Sequence, residues 1–213
     1  GTYTATMNGT ITLIGGSNDV VATVSNVNNA GQDGDASDDS KTLALSPIVP
    51  ASNKIVIAEE ATGTWCGWCP RGAVFLKTLT DKYGQFFQGI AVHNADPMTV
   101  TTYDGAMKAK VKGYPSALVD RGTAQDPSAM EADFLKRVLV TPVANITNGA
   151  TNDANTNTLK VSLTTNFNSA VGSGYRIACV IVEDDVKGTS TGYDQHNYYA
   201  GGGSGVMGGF ESK

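Results

Sequence analysis

Charge is scarce in this chain of 213 residues: Asp, Glu, Lys and Arg fill 16% of positions, against the usual quarter. What charge there is leans acidic, with 20 Asp and Glu against 15 Lys and Arg and a formal net charge of −5. No basic run occurs, which argues against nucleic acid or an anionic membrane surface as a partner. No apolar run reaches the roughly 20 residues that a membrane-spanning helix needs. Residues 1–12 lack the basic start and apolar middle of a secretory leader. Gly1, where a Met would start a gene product, reads as a tag scar or a processed end, and the Gly-rich stretch Gly201 to Lys213 reads as a place where the natural chain continues. Cysteine is rare as well: Cys66, Cys69 and Cys179 are one close pair and a singleton, which is not a disulfide framework. His93 and His196 lie in separate segments, so the four ligands of a structural zinc are not assembled, and no metal is expected.

Thr, Asn, Ser, Gly and Ala fill the space that charge leaves, a mix suited to β surfaces and long turns. Three zones follow. Residues 1–50 alternate in β fashion, with strands expected at Thr10–Ile14, Asp19–Val24 and Leu43–Leu45; they read as a β-rich segment, part of an Ig-like domain, closed by Pro47 and Pro50. Residues 51–140 alternate strand and helix: strand Lys54–Glu60, helix from near Cys66 to Tyr83, strand Gln88–His93, helix Thr102–Lys112, strand Ser116–Asp120, and a last helix from Asp126 to about Val140 with Pro127 in its first turn. That order predicts a sheet covered by helices. Residues 141–213 return to β texture, with strands expected at Val143–Thr147, Leu159–Thr165 and Tyr175–Val182, part of a sandwich too short to be complete.

The chemistry concentrates at Trp65-Cys66-Gly67-Trp68-Cys69-Pro70, where a strand hands over to a helix. A helix N-terminus offers unpaired N–H groups and the positive end of the peptide dipoles, which favour a thiolate on the first cysteine. The second cysteine stands about one turn on, able to attack a mixed disulfide. A Cys-x-x-Cys at a βα junction is the setting that turns a weak motif into a strong redox signal. Downstream, Gly113-Tyr114-Pro115-Ser116 joins a helix to an apolar strand.

Residues 54–121 resemble a thioredoxin fold, and Lys110 to Arg121 is similar to that family's segment around its cis-proline. The resemblance implies a cis bond before Pro115, which would keep an N–H away from the sulfurs and present the backbone of Tyr114 to an extended substrate. It also implies that Glu60, six positions before Cys66, is the buried acid beneath the pair that helps deprotonate Cys69; its neighbour Glu59 is the rival, because the two point to opposite faces of the strand. Glu59 to Gly72, Tyr114 to Arg121 and Gln195-His-Asn-Tyr-Tyr-Ala-Gly-Gly are similar to the outer membrane protein 28-related family of Bacteroidetes. That resemblance implies an exported protein of the periplasm or the outer membrane surface, lipid-anchored through a segment outside this chain, with a thioredoxin-like α/β domain flanked by all-β segments.

The resulting expectation is a thiol–disulfide oxidoreductase that acts on protein disulfides and works with a membrane or periplasmic electron partner. Cys66 is its nucleophile, Cys69 resolves, and Glu60 and Pro115 complete the catalytic set. Trp65, Trp68 and Tyr114 offer a flat apolar contact to substrate, and no cofactor is needed beyond the Cys66–Cys69 disulfide. Gly67-Trp68 stands where thioredoxins have Gly-Pro, and no His lies between the cysteines, which leans away from an extreme oxidant. The alternative is a surface binding or architectural protein in which the pair is a staple; a peroxidase is the weaker third reading. Arg71 either raises the potential near Cys66 or is a solvated first-turn residue, Cys179 is expected in a buried strand, and His93 is expected in a hydrogen-bonded structural role. His196 has no visible partner, and the loop Asp33–Asp39 reads as a turn rather than a calcium site.

Overall fold

A computed structural model describes residues 4–6, 8–26, 29–31 and 34–202. The chain divides into two compact units, Gly1–Val49 and Pro50–Lys213. In the first, strands β1 (Asn18–Thr23) and β2 (Ser40–Leu45) form an antiparallel hairpin in register Asn18 with Leu45 through Thr23 with Ser40. The strand expected at Thr10–Ile14 does not form. The Asn18 side chain takes the backbone of Ile14 instead, accepting from its N–H at 3.0 Å and donating to its carbonyl at 2.7 Å, so a neighbouring strand finds those groups occupied. In the connecting loop Asp35 accepts from the Ser37 amide and hydroxyl, the turn expected there; Asp33 lies outside the described residues.

The second unit is a mixed α/β body. Strand β3 (Val56–Thr62) is the middle of a three-stranded sheet, parallel to β4 (Phe87–His93) and antiparallel to β5 (Ser116–Val119). A central strand is covered on both faces, and β3 is buried along nearly its whole length, its two glutamates included. On one face Val56, Ala58, Phe87, Ala117 and Val119 pack against Leu79 of helix α1 (Pro70–Tyr83) and Met130 and Phe134 of helix α3 (Met130–Arg137). Each of those three helical side chains is fully buried and contributes about 1.5–3 kcal/mol. On the other face Ala61, Ile90, Val92 and Leu118 meet Met107 of helix α2 (Thr101–Lys108). Gln125 makes an isolated bridge to Ala117, so residues 121–126 add no full fourth strand.

Two helices begin later than their sequence suggests. Helix α1 starts at Pro70, because Cys66 to Cys69 close a turn of their own, Cys69 N–H donating to Cys66 O at 3.0 Å, and the N–H that Pro70 lacks is one that a first turn leaves unpaired. The final helix is preceded by a single 3₁₀ turn, Pro127–Ala129, capped by the Asp126 side chain on the Ser128 amide.

Beyond the helices, β6 (Ala144–Asp153) and β7 (Thr158–Phe167) form a long antiparallel hairpin. The sandwich expected over 141–213 is limited, among the described residues, to this hairpin. Residues 175–182 alternate in sequence, yet they are irregular, because β7 pairs only with β6 and offers them no ladder in the structure described. Cys179 lies in this stretch and is exposed rather than buried in a core strand. No helix among the described residues is long and apolar enough to cross a membrane.

Candidate active site

The site forms where β3 ends. Alternation along that strand sends Glu60 toward α1 and Glu59 toward α2. Glu60 is 1% exposed, and its Oε1 has no hydrogen-bond partner among the described residues. Burial pushes its carboxyl well above the usual carboxylate range, with a hydrogen bond from Thr62 opposing in part. Gly72, in the first turn of α1 after Cys69, lies directly against this carboxyl; any side chain there would collide with it. Glu59 is engaged elsewhere: it accepts from Tyr103 Oη at 2.6 Å and from Arg121 Nε and Nη2 at 3.0 Å. Burial first, then the bond to Glu59, push the Tyr103 hydroxyl up to about 12. The acid beneath α1 is therefore Glu60.

Cys66 and Cys69 form a disulfide with Cα atoms 5.3 Å apart. Cys66 N–H donates to Gly63 O at 3.0 Å, and Gly72 N–H donates to Cys69 O at 2.9 Å, so the pair sits in consecutive turns leading into α1. The Tyr114–Pro115 peptide bond is cis. Its loop reaches the cysteine motif through an edge-on contact of Tyr114 with Trp65, ring centres 5.4 Å apart. The Tyr114 hydroxyl is buried without a partner among the described residues. Trp65 is held from the other side by its indole N–H, which donates to Asn94 O at 2.7 Å. Trp65 and Trp68 are both about half exposed.

Cys69 is 1% exposed and Cys66 only 4%, so both residues of the pair are buried. Distant sequence packs against this segment. Residues 191–199 run along Gly63 to Trp68: His196 N–H donates to Thr64 O at 2.7 Å and Tyr198 N–H to Gly67 O at 2.9 Å. Gln195 Nε2 donates to Cys66 O at 2.9 Å, and Thr64 Oγ1 donates to Gly192 O at 2.8 Å. The Tyr198 ring lies over Gly67 so closely that a Cβ there would be 2.6 Å from it. Trp68 meets Tyr198 and Tyr199 edge-on, centroids 5.1 and 5.5 Å away. The Gln195–Gly202 stretch carries part of the family resemblance, but no short-range pattern marks it as a cover.

Asp96 was also missed. Its side chain is 1% exposed and accepts from Thr64 N–H at 3.0 Å and Met98 N–H at 2.9 Å, while His93 Nδ1 lies 2.6 Å from its Oδ2. His93 thus has the hydrogen-bonded place expected of it, and His196, which the sequence left without a partner, is fixed through its backbone. Arg71 pairs with Asp126, 3.0 Å away, and stacks over Phe75.

No protein-family model matches the chain, and no curated protein matches it. Among solved structures, HBP35 of Porphyromonas gingivalis is similar at 24% identity and a TM-score of 0.39, over 46% of this chain. The matched region spans 37% of that structure's length.

Proposed function

We propose that this chain is an extracytoplasmic thiol–disulfide oxidoreductase, with a thioredoxin-like domain over residues 51–140, acting on protein disulfides through Cys66 and Cys69. The observation that carries the reading is a disulfide between two cysteines at the exit of a central strand, in the turns that enter a helix, with a cis Tyr114–Pro115 loop tied alongside. From the reduced state, the Cys66 thiolate attacks one sulfur of a substrate disulfide. A bond from Cys66 Sγ to that sulfur forms, the substrate S–S bond breaks, and the departing substrate thiolate takes a proton. The Cys69 thiolate then attacks Cys66 Sγ, closing the Cys66–Cys69 bond and expelling the second substrate thiolate. Two electrons pass to the substrate, and the reverse sequence oxidises a dithiol. Glu60 exchanges a proton with Cys69 as that thiol enters and leaves the bond; Trp65, Trp68 and Tyr114 supply the apolar contact for substrate. The family resemblance of the motif strings supports a place in the periplasm or on the outer membrane surface and an electron partner there.

One observation favours the second reading, an architectural module with a stapling disulfide: both sulfur-bearing residues are buried. A single assay separates the two. The wild type is mixed with insulin and excess dithiothreitol, and insulin reduction is followed by turbidity. Acceleration by wild type, its loss in Cys66→Ser, and a trapped insulin mixed disulfide in Cys69→Ser are the results expected of the oxidoreductase. No acceleration and no trapped species, with Cys66–Cys69 fully reduced in the assay, would establish the staple.

A further inference from the structure

We propose that residues 191–199 are a built-in strap that occupies the face beside Cys66 where a polypeptide partner docks, and that the cysteine pair reacts only when the strap lifts. The purpose rests on the oxidoreductase reading; the cover itself rests on contacts alone. Those contacts have the character of peptide recognition. The strap opens with a 3₁₀ turn at Thr191–Tyr193 and then donates from the N–H groups of His196 and Tyr198 to the carbonyls of Thr64 and Gly67. A side-chain amide from Gln195 reads Cys66 O, and an aromatic pair, Tyr198 and Tyr199, brackets Trp68. The partner this face fits is therefore a polypeptide segment with backbone N–H groups to donate and an aromatic side chain, a role the strap now fills from within the same chain.

The strap is also built to come off. It is held by hydrogen bonds and ring contacts at its own residues, with Tyr199 buried, and the segment that leads to it, 168–190, contains no helix or strand. Releasing it costs the local contacts and leaves the sheet and helices intact, which is the pattern of low-energy local opening. Gly67 fits the same picture: the absence of a Cβ lets the Tyr198 ring settle on the residue that follows the nucleophile. With the strap in place Cys66 is 4% exposed, although Trp65 and Trp68 on either side remain about half exposed.

The test is the rate at which dithiothreitol reduces Cys66–Cys69 in the folded protein, read by quenched thiol alkylation. One reductant thiolate attacks a cysteine sulfur, its second thiol closes a ring and expels the intermediate, and two electrons and two protons pass to the cysteines. Tyr198→Ala and Gln195→Ala are compared with wild type, and the urea midpoint of each reports its fold. Gln195→Ala removes only polar contacts at the strap, so a folding failure of the tyrosine variant leaves the test standing. Each variant is expected to be reduced about tenfold faster, the factor that losing about 1.4 kcal/mol of closed state produces. Rates unchanged from wild type would overturn the strap, as would an acceleration matched by an equal loss of global stability, which would place reduction on the unfolding route. Faster variants with no insulin reduction by any form would keep the strap and remove the oxidoreductase; an active wild type with variants no faster would do the reverse.

Discussion

Glu60 is a carboxyl whose charged form folding disfavours. Burial holds its pKa well above the usual carboxylate range, whereas in the unfolded chain it titrates near 4.5. The native state therefore binds a proton that the unfolded state has released, over the window from about pH 4.5 up to the raised native value. Stability from this group is complete below that window and is lost as pH rises through it, at up to about 1.4 kcal/mol per pH unit. Glu60→Gln keeps the shape and removes the titration. Urea midpoints measured from pH 4 to 8 are expected to fall more steeply for wild type than for this variant; parallel curves would contradict the buried neutral carboxyl. The position was legible in the sequence through the resemblance of residues 54–121 to a thioredoxin fold, which implies an acid six positions before Cys66. What the sequence left open was the choice between Glu60 and Glu59. Strand direction decides it: Glu60 meets Gly72 of α1, and Glu59 meets Tyr103 of α2 and Arg121.

At the level of elements, the site depends on how loops fasten to the end of β3. Asp96 does this for the segment that carries Trp65 and Cys66. Its buried carboxylate accepts the Thr64 and Met98 amides, so Asp96→Ala leaves donors without partners, at a cost of about 1.5–3 kcal/mol. Thermal denaturation is expected to show that loss, amide exchange at Thr64 to quicken, and Asp96→Asn, which keeps one acceptor, to recover part of it. A wild-type exchange rate at Thr64 in Asp96→Ala would show that the carboxylate does not hold this turn. The partners are 32 residues apart and share no periodic pattern, which is why sequence reasoning passed over Asp96. The strap is harder still: Gln195 and Cys66 are 129 residues apart. By contrast, β3, α1, β4 and β5 were legible, because apolar periodicity, Gly and Pro mark them locally. The strand expected at 175–182 shows the limit of that signal, since alternation describes a strand only where a neighbour offers its ladder, and Cys179 is exposed in consequence.

For the molecule as a whole, a three-stranded sheet with α1 and α3 on one face and α2 on the other positions the cysteine pair, while the two β hairpins lie in other parts of the chain. The central claim is that the Cys66–Cys69 disulfide is a working redox couple and not a staple, and the burial of both cysteines makes that claim open to direct challenge. The measurement to make is the equilibrium state of the pair in graded glutathione and dithiothreitol buffers, read by thiol trapping under native conditions. The predicted result is a reversible midpoint within the span of known oxidoreductases, from about −120 to about −270 mV. A pair that stays oxidised below about −300 mV, or opens only when the protein unfolds, would contradict it and leave the disulfide a structural one.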